Sequence, residues 1–429
     1  YSPDAYPYFF IDTNANGEVD GEEGAFPNAY KAWTPRLQKA AYNYQMSVKD
    51  PGAFAHGGKY IMQLLYDSIE SLNEKIATPV DLSTAHRIDP GHFAGSEEAF
   101  RHWDEEGEVP ASCAKCHSAG GLPQFLANGG TTVLSGTTLA TTGVVGQEPS
   151  NGFECSTCHN EAEWPARYAV TTVPFPSGAK VTFSTEKDAD GNLVPVDANL
   201  CIECHQGRES TVSVNNAITR SGLTDDQVAS KEQPLSFRNP HYFAAGATLF
   251  GDEAKGAYQY EGQTYVGRNA HVAGFDTCTA CHGTHELELK FEACTTCHAG
   301  AATPQDIRMS TVDFDGDGNA TEGMAGEEAT MLEALYAAVV KYAADAGTPI
   351  AYNGSAYPYF FADANGNVAV DEGEEAFASW TPRLLRAAYN YQWFSKDPGA
   401  FAHNPKYTVQ VLYDSLQDVG GSVAGMTRP

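Results

Sequence analysis

The sequence has no apolar run approaching the roughly 20 residues that a membrane-crossing helix needs, so a helical span is excluded. It is poor in positive charge. Against 55 aspartates and glutamates stand 26 lysines and arginines, a formal net charge of -29, which argues against nucleic acid as a partner. Methionine is scarce, at 6 residues. No cysteine is left for a disulfide framework, because all 10 fall in one recurring pattern, so crosslinks are not what stabilises the chain. The chain opens at Tyr1 with neither an initiator methionine nor a signal sequence, and we expect an upstream piece that was removed or is not shown. What remains is 429 residues with 42% hydrophobic content, enough for roughly two or three domains with a globular core.

The pattern is two cysteines separated by two residues and followed at once by histidine. Its copies are Cys113–Cys116–His117, Cys155–Cys158–His159, Cys201–Cys204–His205, Cys278–Cys281–His282 and Cys294–Cys297–His298. Two thiols at this spacing can each add to one vinyl group at the edge of a haem, and the adjacent histidine reaches the iron from the same side. Structural zinc uses four ligands and two such pairs per ion, which five half-sites fit poorly. A thioredoxin-like dithiol would not recur five times or carry the histidine each time. The expectation is five covalent haems c. Such haem is attached outside the cytoplasm, so we expect an exported precursor.

One module occurs twice, on either side of the haem motifs. Ala5–Phe10 recurs as Ala356–Phe361, Trp33–Leu37 as Trp380–Leu384, Ala40–Gln45 as Ala387–Gln392, and Lys49–His56 as Lys396–His403. Each copy reads as two helices joined by a turn. Thr34 or Thr381 caps the first, Pro35 or Pro382 opens it, and Asp-Pro-Gly breaks it. The second is expected over about 59–72 and 405–417, and a further amphipathic helix over about 326–346. Hairpins are expected over 181–196 and 258–266. The fold class expected is a loop-rich multihaem cytochrome with short helices and a few β-hairpins, flanked by α-helical modules with calcium-loop-like turns. Its domains would be 1–80, 81–300 and 301–429, with flat macrocycles supplying much of the core.

Before the first helix of each copy lies an acidic loop. Asp12, Asn14, Asn16, Asp20 and Glu23 occupy positions 1, 3, 5, 9 and 12 of a calcium-loop pattern, with Glu18 within it and Gly17 at the sharp turn. The second copy offers Asp363, Asn365, Asn367, Asp371 and Glu374, with Val368 in place of the glycine. A third loop, Asp313, Asp315 and Asp317, starts equally well but has Met324 where the bidentate glutamate belongs. The competing reading of all three is solvated acidic turns. Net negative charge is explained by plain solubility or by attraction to cations, including calcium and oxidised metal ions.

Five closed haem irons need five distal ligands. Eight histidines remain after the proximal five: His56, His86, His92, His102, His241, His271, His285 and His403. His56 and His403 hold the same place in the repeated module, which favours a structural role. His285 lies too close to His282 to serve the same haem and is expected at a neighbouring one. The distal set is read as His92, His102, His241, His271 and His285, with His86 in reserve.

The haem spacing, together with Phe100–Trp103, Cys204–Ser210, Asn239–Gly246 and the carboxyl-terminal module, resembles the extracellular multihaem cytochromes of metal-respiring microbes, including those that polymerise into nanowires. The resemblance implies bis-histidine haems stacked in a chain, electron transfer to minerals or other cells, and other extracellular or outer-membrane cytochromes as partners. It also implies a head-to-tail homopolymer at the cell exterior, in which His92 or His102 would serve a neighbouring subunit's haem. Two other functions compete. A multihaem enzyme of the nitrite or hydroxylamine type would show lysine in place of a proximal histidine or an extra cysteine, and neither is present. A monomeric periplasmic electron carrier is the third reading.

Overall fold

The computed structural model describes residues 1–85, 87, 98–135, 138–241 and 243–429. The chain divides into two compact units, Tyr1–His102 and Trp103–Pro429. This differs from the three-part division drawn from the sequence. The second copy of the module is not a domain of its own, because its aromatic residues join one continuous core with the haem-motif region, running from Val109 through Phe175, Ile202 and Phe250 to Trp393 and Tyr407.

The first unit is built on α1 (Pro35–Lys49) and α2 (Ala53–Asn73), which pack against each other, followed by the short α3 (Glu98–Arg101). Thr34 caps α1 by accepting from the Leu37 N–H at 3.2 Å, with Pro35 at the opening position. Few of its residues are buried. Among the apolar ones these are Phe10, Ala29, Ala40, Ala41, Ala53 and Phe100.

The second unit begins with α4 (Ala111–His117) and α5 (Gly121–Ala127). A hairpin of β1 (Thr132–Ser135) and β2 (Thr138–Thr141) follows, then α6 (Cys155–Cys158) and the short antiparallel pair β3 (Val173–Pro174) and β4 (Lys180–Val181). Next come α7 (Ala198–Cys204), α8 (Thr211–Ser221), α9 (Ala245–Phe250), α10 (Cys278–Cys281) and α11 (Phe291–Thr295). Most are one or two turns long, as expected where loop-rich sequence is interrupted by haem motifs. The expected hairpin around Gly191 is reduced to a single bridge between Lys187 and Leu193. The one expected over 258–266 does not form, for a physical reason. The backbone groups of Tyr258 and the N–H of Val266 bind the side chains of Asn390 and Gln410 instead of each other.

The second copy of the module closes the unit. Its elements are α12 (Met324–Asp345), the antiparallel pair β5 (Ile350–Tyr352) and β6 (Phe360–Ala362), α13 (Pro382–Ser395), α14 (Ala400–His403) and α15 (Pro405–Asp418). Met331, Leu335, Val339 and Ala343 form the buried stripe of α12, which packs on α13 and α15. Among the described residues no helix is long and apolar enough to cross a membrane.

The two copies share their internal bonding in detail. Asn43 donates to Ser68 as Asn390 does to Ser415, both near 3 Å. Trp33 donates to Tyr30 O as Trp380 does to Phe377 O, and Arg36 reaches Ser71 O as Arg383 reaches Asp418 O. Lys49 lies over the ring of Tyr8, and Lys396 over that of Tyr359. Their surroundings differ, because α13 and α15 bury most of their residues and α1 and α2 do not.

Candidate haem and calcium sites

Each Cys-x-x-Cys-His segment folds into one helical turn, because residues three apart in a helix share a face. Four of the turns close identically: the N–H of the histidine donates to the carbonyl of the first cysteine in His159, His205, His282 and His298, at 2.8 to 3.1 Å. In the other, His117 is the last residue of α4. All ten cysteines are free thiols, as attachment to haem requires.

The turns from different motifs meet. Cys116 neighbours Cys204, and Cys201 neighbours Cys278, and α7 packs on both α4 and α10, so the first motif adjoins the third and the third adjoins the fourth. Between the first and third motifs lies a buried ion pair, Lys115 to Glu203 at 2.8 Å, with the two side chains 4% and 3% exposed. α10 also packs on α11, and Cys158 neighbours Cys201, which extends the cluster to the second and fifth motifs.

Three histidines from the expected distal set face proximal ones. His241 Nε2 lies 3.5 Å from His117 Nε2; two imidazole nitrogens on opposite sides of one metal ion stand about 4 Å apart, given metal–nitrogen distances of about 2 Å. The ring centres of His285 and His159 are 6.3 Å apart and near parallel, and those of His271 and His298 are 6.3 Å apart. His285 therefore sits across from the second motif and not from the motif it follows. His102 lies exposed just beyond α3, in the first unit. His86 and His92 lie outside the described residues.

His403 is paired with a buried carboxylate. Its Nδ1 is held by Asp397 at 2.9 Å, which leaves Nε2 to face outward from the pair. Its charge acts on both His205 and His282. Burial pulls the His403 pKa down, but the adjacent Asp397 carboxylate more than offsets this and leaves it raised. The sequence signal was present as Asp397-Pro-Gly with a histidine six residues after the aspartate, repeated at Asp50 and His56, where the ring nitrogen again lies 3.0 Å from the carboxylate.

The histidines are oriented by backbone partners. His159 Nδ1 pairs with Pro165 O at 2.7 Å and His205 Nδ1 with Phe243 O at 2.5 Å. A ring that donates Nδ1–H to a carbonyl carries its lone pair on Nε2, the atom that would meet iron. His241 adopts left-handed backbone (φ 75), held by donation of its N–H to Asn239 Oδ1 at 2.9 Å, an oxygen that also accepts from Gln392 at 2.9 Å. Burial first, then the charges of Arg208 and His117, brings the His241 pKa down to about 3, so this ring is neutral at neutral pH. The closing module thus reaches the histidines through Gln392 and through Lys396, whose carbonyl accepts from Phe243 N–H.

The acidic loops are drawn inward on themselves. Asp12 accepts from Gly17 N–H at 2.8 Å, and Asp363 from Val368 N–H at 2.8 Å. Glu23 and Glu374 accept from Thr13 and Ala364. Val368 keeps the left-handed backbone of its glycine counterpart (φ 63 against 82), as Ala15 of the first loop does opposite Gly366 of the second (φ 57 against 74), so each loop holds one strained non-glycine residue. Asn14, Asn16 and Asp20, like Asn365, Asn367 and Asp371, bond within their loops, and the Glu18 N–H donates to Asn16.

The third loop gathers more carboxylates than the sequence pattern indicated. Ligand oxygens of Asp313, Asp315 and Asp317 lie within 4.8 Å of one another, and so do those of Asp315, Glu322 and Glu327. Glu322 and Glu327 were missed because neither stands at position 12, where Met324 falls. The chain turns into α12 there and brings Glu327 back over the loop, where it accepts from the N–H groups of Phe314 and Asp315. Asp315 Oδ2 and Glu322 Oε1 are buried without a hydrogen-bond partner. Burial raises the pKa of both, and neighbouring carboxylates raise that of Glu322 further. The donor set is all oxygen and negatively charged, which suits calcium.

No protein-family model matches the chain, and no solved structure matches it. Curated proteins do. The chain is 28% identical over 413 residues to the C-type polyheme cytochrome OmcC of Geobacter sulfurreducens, covering 86% of this chain and 50% of that protein. It is 27% identical over 361 residues to the C-type polyheme cytochrome OmcB of the same organism, covering 74% of this chain and 45% of that protein. The chain therefore spans about half the length of the curated relatives it matches. The likeness to multihaem c-type cytochromes drawn from the motifs holds over most of the chain, and such relatives imply covalent haem c.

Proposed function

We propose that this chain is an electron carrier in which five covalent haems c pass electrons along a connected row, with no substrate transformed. When bound, haem supplies an iron that exchanges single electrons. The chain's own residues do the rest. Cys113, Cys116, Cys155, Cys158, Cys201, Cys204, Cys278, Cys281, Cys294 and Cys297 attach it, and His117, His159, His205, His282 and His298 take the proximal positions. His241, His285 and His271 take distal positions at the first, second and fifth sites, and His403 at the third or fourth. The observation that carries this reading is the 3.5 Å approach of His241 Nε2 to His117 Nε2. It leaves the first site closed on both faces, as a carrier requires and a catalyst does not.

The motif contacts suggest a row of the first, third, fourth and fifth sites, with the second branching from the third. Calcium would hold the Asp315, Glu322 and Glu327 cluster, the Asp12–Glu23 loop and the Asp363–Glu374 loop. We place the protein at the cell exterior, exchanging electrons with other cytochromes, minerals or cells, and extend the reading to a head-to-tail filament that continues the row. The expected basis of that filament, an aromatic surface at each end, is changed by the fold: most of the second copy's aromatic residues are buried within its own unit, with Tyr357 exposed, and the first copy exposes more of them. Haem counting by mass should give five per chain, and electron paramagnetic resonance should show low-spin iron. A substantial high-spin signal in intact protein would overturn the carrier reading, and protein that stays monomeric under the microscope at every concentration would overturn the filament.

A further inference from the structure

The three facing histidine pairs differ in how their rings are turned. The planes of His117 and His241 cross at 76°, those of His271 and His298 at 50°, and those of His159 and His285 at 16°. At the first site both rings are braced by residues that are not ligands. Trp103 packs against His117 at 61°, with ring centres 5.7 Å apart. On the other side, the direction from which His241 reaches in follows from its backbone. A φ of 75 is one that a non-glycine residue keeps only where its surroundings hold it.

Asn239 provides that hold by accepting from the His241 N–H at 2.9 Å, a turn closed by a side chain two residues back. Gln392 of α13, fully buried, donates to the same oxygen at 2.9 Å. The N–H of Arg208, just after the third motif, donates to the carbonyl of Pro240 at 3.2 Å. The two residues before His241 are thus tied to α13 on one side and to the flank of the third motif on the other.

Ring angle matters to a low-spin ferric iron because each axial imidazole donates π density to the d orbital set perpendicular to its own ring. Two parallel rings address the same orbital, which splits it from its neighbour and stabilises the ferric state. Two crossed rings address one orbital each and leave the pair nearly equal in energy. The crossed arrangement therefore gives a strongly anisotropic resonance with one large g value, and a ferric state that is easier to reduce. Outer residues that orient axial ligands are among the means by which a protein sets such properties.

We propose that Asn239 and Gln392 are positioning residues that hold His241 crosswise to His117, and that they make the first site, at one end of the row, electronically unlike the second and reduced before it. An electron shared between these two sites rests at the first. The inference rests on reading both sites as closed haems, and its test separates the two.

The full haem-loaded chain, oxidised and frozen, is studied by electron paramagnetic resonance. At least one large-g signal is expected beside rhombic low-spin signals. His241→Ala should abolish the large-g signal and bring in a high-spin one, and His285→Ala should do the same to a rhombic signal. Asn239→Ala removes the bonds to both His241 and Gln392, and should move the large-g signal toward the rhombic range. Asn239→Asp, whose carboxylate still accepts both bonds, should restore it. Gln392→Met should move it less, and decides the matter where Asn239→Ala does not fold; unchanged rhombic signals report an intact fold. With an electrode supplying electrons, the large-g signal should vanish at a higher potential than the rhombic signal lost in His285→Ala. Rhombic signals alone in the parent overturn the inference, as does a rhombic signal lost in His241→Ala. So does a large-g signal indifferent to the variants at Asn239 and Gln392, or reduction of the second site first. High-spin iron throughout the parent overturns the carrier reading instead.

Discussion

Lys115 and Glu203 sit at the last variable positions of two haem motifs and meet in the interior at 2.8 Å. A lone buried charge is far more costly than a buried pair, because the partner left behind has neither water nor a counter-ion. Lys115→Met should therefore lower stability by about 3–5 kcal/mol, read from denaturant unfolding of the haem-loaded protein. Adding Glu203→Leu should restore most of the loss. If the double variant is no better than the single, the pair is not what joins the first and third motifs. This contact was invisible in the sequence, since 88 residues separate the partners and each alone reads as a solvated charge. The Cys-x-x-Cys-His turns, by contrast, are set by local spacing, and each folds as the short helical turn its sequence allows. Of the histidines read as distal ligands, the three that face a proximal ring all lie between the first and last haem motifs.

At the scale of elements, helix starts were legible from Thr34 and Thr381 with the following prolines, and α12 falls within two residues of its expected span. The hairpin over 258–266 was not, because its backbone groups are satisfied by side chains from α13 and α15. The same non-local folding built the carboxylate cluster under α12. Chelation of calcium should destabilise the second unit by on the order of 3 kcal/mol where the free ion stands at a hundred times its Kd, and the shift should shrink in Asp315→Asn. An equal shift in parent and variant would place the ion in the other loops. The ion pairs between Asp225, Asp226 and the two arginines of α13 give a pH signature. Hydrogen bonds from Arg386 and Arg383 lower the pKa of Asp225 and Asp226 respectively. With folded values below the unfolded value of about 3.9, their contribution is complete above that pH and is lost as pH falls through the folded value. The melting gap between the parent and the Asp225→Asn, Asp226→Asn variant should therefore be constant near neutrality and close below about pH 4. A gap that persists in acid would mean packing, not charge, is what the arginines provide.

For the whole molecule, the dominant quantity is a formal charge of -29, which propionate groups of bound haem would increase. Such a charge sets up a field that draws cations toward the surface and repels anions, and it does so over about 10 Å at 0.1 M salt but only about 3 Å at 1 M. An electron carrier has no binding pocket whose shape must be matched, so the rate at which it meets a small acceptor is governed by that field. The reduced protein should accordingly be oxidised faster by a cationic metal complex than by an anionic one of equal driving force. The two rates should converge as salt is raised, the cationic falling and the anionic rising. Stopped-flow measurements from about 0.01 to 1 M salt would resolve both slopes. If instead the anionic rate fell and the cationic rate rose with added salt, electrons would be leaving from a local basic patch and not from the acidic surface as a whole. The arginine-rich junction around Arg383 and Arg386 is already neutralised by Asp225, Asp226 and Asp418, so it offers no such patch, and opposite slopes are the expected result.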